Sequence, residues 1–157
     1  MNRVPMTPAG KKMLEERLKQ LKNVERPKVI AAIEEARGHG DLSENAEYDI
    51  AKEHQLQLSR QIQDIEHKLS LAHVIDPASI KSNKVVFGAT VTLRAVEGDE
   101  KVTYTIVGVD ESDLKQGKVS IESPVARALI GKGEGDEVKV TTPQGFKEFE
   151  IMSVEYR

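Results

Sequence analysis

From Met6 to about Val74 apolar residues recur at steps of three and four, whereas from Val85 to the C-terminus they alternate or gather in short β-branched runs. The change of period near Asp76-Pro77 predicts a helical first part followed by strands. Thr7-Pro8 has the form of an N-cap with proline in the first turn, and Leu14, Leu18 and Leu21 then share one stripe. Pro27 interrupts that stripe, yet Val29, Ile30, Ile33 and Ala36 carry the pattern on to about Arg37. One long arm with a kink or short break is expected. Gly38-His39-Gly40 ends it. A second helix is expected to begin within residues 41–44 and run to about Val74, with Ala51, Leu58, Ile62, Ile65, Leu69 and Ala72 as its seam. So short a turn forces antiparallel packing, so residues 1–76 are predicted to form a coiled-coil hairpin, each arm about 45 Å long at about 1.5 Å per residue.

Past a linker holding Asp76-Pro77-Ala78-Ser79 and Lys81-Ser82-Asn83, five segments read as strands: VVFGATVTLRA, VTYTIVG, KVSIE, EVKVTT and FKEFEIMSVEY. Thr142-Pro143-Gln144-Gly145 places proline and glycine where a tight turn joins the last two. Ser123-Pro124 opens a short helix through Ile130 whose Ala and Leu residues face a sheet. Residues 77–157 are thus predicted to be a globular domain with an antiparallel β-sheet and one short helix, and the whole chain to be α+β.

Composition narrows the chemistry. Among 157 residues there is no cysteine, which removes disulfides, thiolate zinc sites and cysteine nucleophiles together. With 23 basic and 26 acidic residues the formal charge is −3, so the chain has no general attraction for nucleic acid and any such contact must be local. No apolar run is long enough to span a membrane and the N-terminus has no secretory signal pattern, so a cytoplasmic protein is expected. One hairpin can satisfy its own apolar seam, and a monomer is expected.

Most motifs have ordinary readings. The glycines of Gly131-Lys132-Gly133-Glu134-Gly135 lead into a strand and carry acidic neighbours, unlike a phosphate-binding loop. Residues Asp110 to Asp113 lack the offsets of a calcium loop and read as a surface turn. His39, His54, His67 and His73 show no ligand spacing and read as solvated helix-face residues. No activated nucleophile is visible, so self-contained catalysis is not expected.

GHGDLSENAEY, residues 38–48, is harder to dismiss. Asp41 and Glu44 have nearly the form of a capping box, which would make them structural. Against that, Asp41, Glu44, Glu47 and Asp49 supply more carboxylates than a cap uses, beside two glycines. Magnesium takes one or two carboxylates and fills its other positions with water and phosphate oxygens, so such a turn can complete a site that another protein has half built. The spacing alone leaves both readings open.

That motif, followed by VVFGATV, YTIVGVDESD, SPVARALIGK and a terminal VEY, resembles the Gre-type transcript cleavage factors over nearly the whole chain, from Met6 to Tyr156. The resemblance implies an N-terminal antiparallel coiled coil and a C-terminal domain shaped like FK506-binding proteins. It implies bacterial RNA polymerase as partner, with the C-terminal domain docked at the rim of its secondary channel and the coiled coil inserted towards the active centre. Asp41 and Glu44 match the family's acidic pair, which helps the polymerase hold a second Mg2+ and position water for internal cleavage of backtracked RNA. The cation is shared with the polymerase, and the factor is not itself an enzyme.

Arg37 and Lys52 match a basic patch implied to guide the nascent RNA 3′ segment; at position 52 family members can carry arginine, so a forked phosphate grip is reduced here to a point charge. For both, a solvated surface role stays open. Asn45 and Tyr48 belong to the same motif and are expected to shape the loop, Asn45 by bonding to backbone near the helix start. Ser123 and Pro124, with Asp110 to Asp113, fall where the family is implied to touch the polymerase rim. Two other outcomes stand beside cleavage stimulation: a channel-occupying regulator that does not promote cleavage, and a coiled-coil adaptor in which the acidic residues only cap a helix.

Overall fold

In the computed structural model, residues 3–41, 45–143 and 145–157 are described. The chain divides into two compact units, Lys11–Ala72 and a second made of Arg3–Gly10 with His73–Arg157. Arg3–Gly10, expected within the hairpin's 1–76, therefore group with the sheet.

The helical unit is the expected hairpin. Helix α1 (Pro8–Gln20) runs into a π-helical turn (Leu21–Glu25) and on into α2 (Arg26–Arg37), and α3 (Ala46–Ser70) packs back against α2. The expected kink is this π turn, closed by a bond from the Arg26 amide to the Leu21 carbonyl. Its cause is legible in the seam. Leu14, Leu21, Ile33 and Ala36 are buried, and the step from Leu21 to Ile33 is one residue longer than the about eleven of three α-helical turns. A turn with i→i+5 bonds absorbs the extra residue and keeps both side chains on the packed face. Pro27 then falls in the first turn of α2, where its missing N–H costs little. Ile30 stays 43% exposed, outside the seam it was expected to join.

On α3 the buried residues are Ala51, Leu58, Ile62 and Ile65, spaced seven, four and three apart. Two boundaries differ from expectation. The helix starts at Ala46, not within 41–44, and it ends at Ser70 because Ala72–Val74 forms strand β2, paired with β1 (Val4–Met6). Three residues carry too little alternation to reveal a strand whose partner lies at the other end of the hairpin sequence.

The second unit holds a five-stranded sheet ordered β5-β4-β3-β7-β6, from β3 (Thr90–Ala95), β4 (Lys101–Val107), β5 (Lys118–Ser120), β6 (Glu137–Thr142) and β7 (Gly145–Glu155). The sheet is mixed, not antiparallel as expected, because β5 runs parallel to β4. Residues 108–117 wind through two 3-10 turns and bring the chain back in the same direction. A two-residue period is the same for either direction, so the sequence pattern is blind to it. Val91 and Leu93 of β3, Ile106, Val119, Val140 and Ile151 form the core with Ala126 and Leu129 of helix α4 (Pro124–Leu129).

Candidate functional site

The first arm stops cleanly. The Gly38 amide donates to the carbonyls of Glu34 and Glu35, each at 3.1 Å, and the amides of His39 and Gly40 donate to Ala36 and Arg37, each at 3.2 Å. Gly40 has φ +100°, a conformation that residues with a Cβ rarely adopt, so the backbone, already out of α2 after Arg37, turns at the residue before Asp41. A Cβ at Gly40 would meet nothing within 4 Å, so the demand is on the backbone angle and not on space.

Asp41 is exposed. Glu44, its expected companion, lies outside the described residues. The residue at the N-cap of α3 is Asn45, whose Oδ1 accepts from the Tyr48 amide at 3.1 Å. The same side chain donates through Nδ2 to the Ala36 carbonyl at 2.5 Å, tying the start of α3 to the end of α2. Asn45 thus bonds to backbone on both sides of the turn, and half-buried Tyr48 supplies the capped amide at the third helical position. Asp41 does not hold the α3 N-cap. Glu47 and Asp49 occupy the first turn of α3, where the helix dipole favours negative charge.

His39 sits in the turn past the end of α2, not on a helix face, and its Nδ1 lies 3.2 Å from Glu47 Oε2. This link was missed because no His–Glu spacing marks a pair that closes across a turn. Arg37 and Lys52 are both exposed, and Lys52 Nζ donates to Gln55 Oε1 at 3.2 Å. No contact joins the two among those described.

In the second unit, Ser123 Oγ caps α4 by accepting from the Ala126 amide at 3.2 Å, with Pro124 exposed in the first turn. Ser123 therefore has a structural role of its own. Glu111 is no simple surface-turn residue. Its carboxylate accepts from the Thr7 and Gly108 amides, each at 3.0 Å, and from the Thr7 hydroxyl. Those partners are remote in sequence, and nothing local in DESD announces them.

Among the described residues no group of three or more His, Asp or Glu side chains is placed to hold a metal. An exposed aspartate in a turn offers the hard oxygen donor that Mg2+ prefers, and one or two such donors are what the ion takes from a protein. Among the described residues, too, no helix is long and apolar enough to cross a membrane.

Two family models match, "Transcription elongation factor, N-terminal" over residues 4–74 and "Transcription elongation factor, GreA/GreB, C-term" over residues 80–156. The transcription elongation factor GreA of Neisseria meningitidis serogroup A is 55% identical over 157 residues, covering 99% of each chain. That of Alkalilimnicola ehrlichii is 56% identical over 157 residues, again covering 99% of each. That of Hyphomonas neptunium is 54% identical and covers both chains fully, at 100%. Among solved structures, one described as the transcription factor Gfh1 aligns over 98% of this chain and 99% of its own, with 25% identity and a TM-score of 0.46.

Proposed function

This chain belongs to the GreA/GreB family of transcription elongation factors, and on that premise we propose that it stimulates RNA cleavage by a stalled bacterial RNA polymerase. The hairpin enters the secondary channel of the polymerase, in the cytoplasm, while the sheet unit docks at the channel rim through the surface that includes Ser123 and Pro124. The observation that supports this reading is that Asn45, not Asp41, is the N-cap of α3, while Asp41 is exposed beside it in the turn. Asn45 caps α3, and Gly40 turns the chain so that an exposed carboxylate stands in the turn itself.

Asp41 and Glu44 are the residues that would hold Mg2+ jointly with carboxylates of the polymerase. When bound there, the ion supplies positive charge at the oxygens of the phosphodiester being cut and lowers the pKa of the attacking water. Asp41 and Glu44 also orient that water by accepting its hydrogen bonds. Arg37 and Lys52 attract phosphates of the extruded RNA 3′ segment, a local attraction compatible with a chain whose net charge is −3. Cleavage leaves a new 3′-OH from which elongation resumes. The chain has no turnover of its own in this scheme.

Backtracked polymerase complexes with labelled RNA test the proposal. The wild-type protein with Mg2+ releases short 3′ fragments. Asp41→Asn, alone or with Glu44→Gln, is expected to bind the polymerase and release almost none. Asparagine caps helices about as well as aspartate, so equal cleavage by wild type and Asp41→Asn would return Asp41 to a structural role. Polymerase binding by wild type without fragment release would identify a channel-occupying regulator instead.

A further inference from the structure

We propose that His39 and Glu47 are positioning residues, a side-chain brace across the turn that fixes the direction in which Asp41 is presented. The inference rests on the cleavage role proposed for Asp41.

A turn that carries a catalytic carboxylate faces a conformational difficulty when a glycine adjoins that residue. Gly40, at φ +100°, gives the backbone before Asp41 more freedom than any other residue would, and free rotation there swings the carboxylate. The far side of the turn is held by Asn45, bonded to Ala36 at 2.5 Å and to Tyr48 at 3.1 Å. The near side is held at His39, whose Nδ1 lies 3.2 Å from Glu47 Oε2 in the first turn of α3. Between them these contacts bind the segment on either flank of Asp41 to the two helices.

The brace has no evident duty in folding. Its side chains are 51% and 69% exposed, and exposed pairs contribute little to stability. The end of α2 is already satisfied by the backbone bonds of Gly38, His39 and Gly40, and the start of α3 by Asn45. Glu47 gains from the helix dipole with or without a histidine opposite. What the pair adds to the bond from Asn45 to Ala36 is a second link across the turn, anchored two residues before Asp41. A neutral imidazole protonated at Nδ1 and an imidazolium both donate to the carboxylate, so the brace does not depend on a change of protonation.

The test measures cleavage of backtracked complexes at fixed pH, over a range of factor concentration, for His39→Ala, Glu47→Ala, the double variant, His39→Gln and Asp41→Asn. Each alanine variant is expected to lower the maximal rate at least about tenfold, short of the about hundredfold loss that a misplacement of about 1 Å causes. The half-saturating concentration of factor and the helical circular dichroism should not move. The double variant should be no slower than either single one, since the second substitution removes a brace already broken. His39→Gln, whose amide can donate to Glu47, should keep most of the rate. Unchanged maximal rates in both alanine variants, losses that multiply in the double variant, or losses that track reduced helicity or weaker binding would each overturn the brace. If Asp41→Asn cleaves normally, the functional reading itself fails; if Asp41→Asn is inactive while both alanine variants match wild type, only the brace fails.

Discussion

Asn45 and Ala36, nine positions apart, are joined by a hydrogen bond of 2.5 Å from the asparagine Nδ2 to the alanine carbonyl. The carbonyl belongs to the last turn of α2, where no helical amide remains to claim it fully, and the donor belongs to the cap of α3. One side chain therefore serves two helix ends. Asn45→Ala should lose both functions and lower stability by about 1–2 kcal/mol, read as a reduced midpoint of urea unfolding followed by circular dichroism. Asn45→Asp keeps the capping oxygen and loses the donor, so it should fall between alanine and wild type. Equal stability of all three would mean that the bond to Ala36 contributes nothing.

Gly10 and Glu111 make a second testable pair. A Cβ on Gly10 would stand 2.1 Å from Glu111 Cδ, so Gly10→Ala must displace a carboxylate that holds the Thr7 and Gly108 amides. A loss of about 1–3 kcal/mol is expected, as for a half-buried charged acceptor withdrawn from its donors. In a Glu111→Ala background the clash is gone, and Gly10→Ala should become neutral or stabilise by about 0.5–1 kcal/mol through lost chain entropy in the unfolded state. Thermal unfolding of the four proteins decides it, and an equal penalty in both backgrounds would refute the clash.

Leu93 is fully buried at the centre of the sheet, on the strand flanked by β4 and β7. Leu93→Ala should cost about 2–5 kcal/mol, the range for a large side chain removed from a core that cannot collapse. The hairpin helices have a separate seam, so near-complete loss of folded sheet should be accompanied by retained helical circular dichroism. A Tm within one degree of wild type would contradict the core assignment.

Arg37→Ala and Lys52→Ala each remove an exposed charge, and neither should change stability by more than about 0.5 kcal/mol. If these side chains attract RNA phosphates, the factor concentration needed for half-maximal cleavage should rise and become less sensitive to salt. Titration of cleavage at two salt concentrations measures this. An unchanged salt dependence in both variants would leave them as solvated surface residues.

The hairpin was legible because its seam repeats. Leu14, Leu21, Ile33, Ala36, Ala51, Leu58, Ile62 and Ile65 are buried, and local helical periodicity picks them out, although it also draws in Ile30, which stays exposed. The π turn had a trace in the sequence as an extra residue between Leu21 and Ile33, read there as an effect of Pro27. Turn chemistry was legible too: Ser123 before Pro124, and the glycines after Arg37, act through neighbours within four positions.

The acidic turn shows where local reasoning ends. Sequence spacing determined that carboxylates gather between two helices, and the order of motifs along the chain determined the family. Only the tertiary structure decided that Asn45, not Asp41, takes the α3 cap, because that choice depends on a bond to Ala36 that exists once the helices pack. The same holds for the parallel pairing of β4 with β5 and for Glu111 beneath Thr7. A helical or strand period is fixed by interactions a few residues long, whereas a hydrogen bond between remote groups forms only where the folded chain brings donor and acceptor within reach.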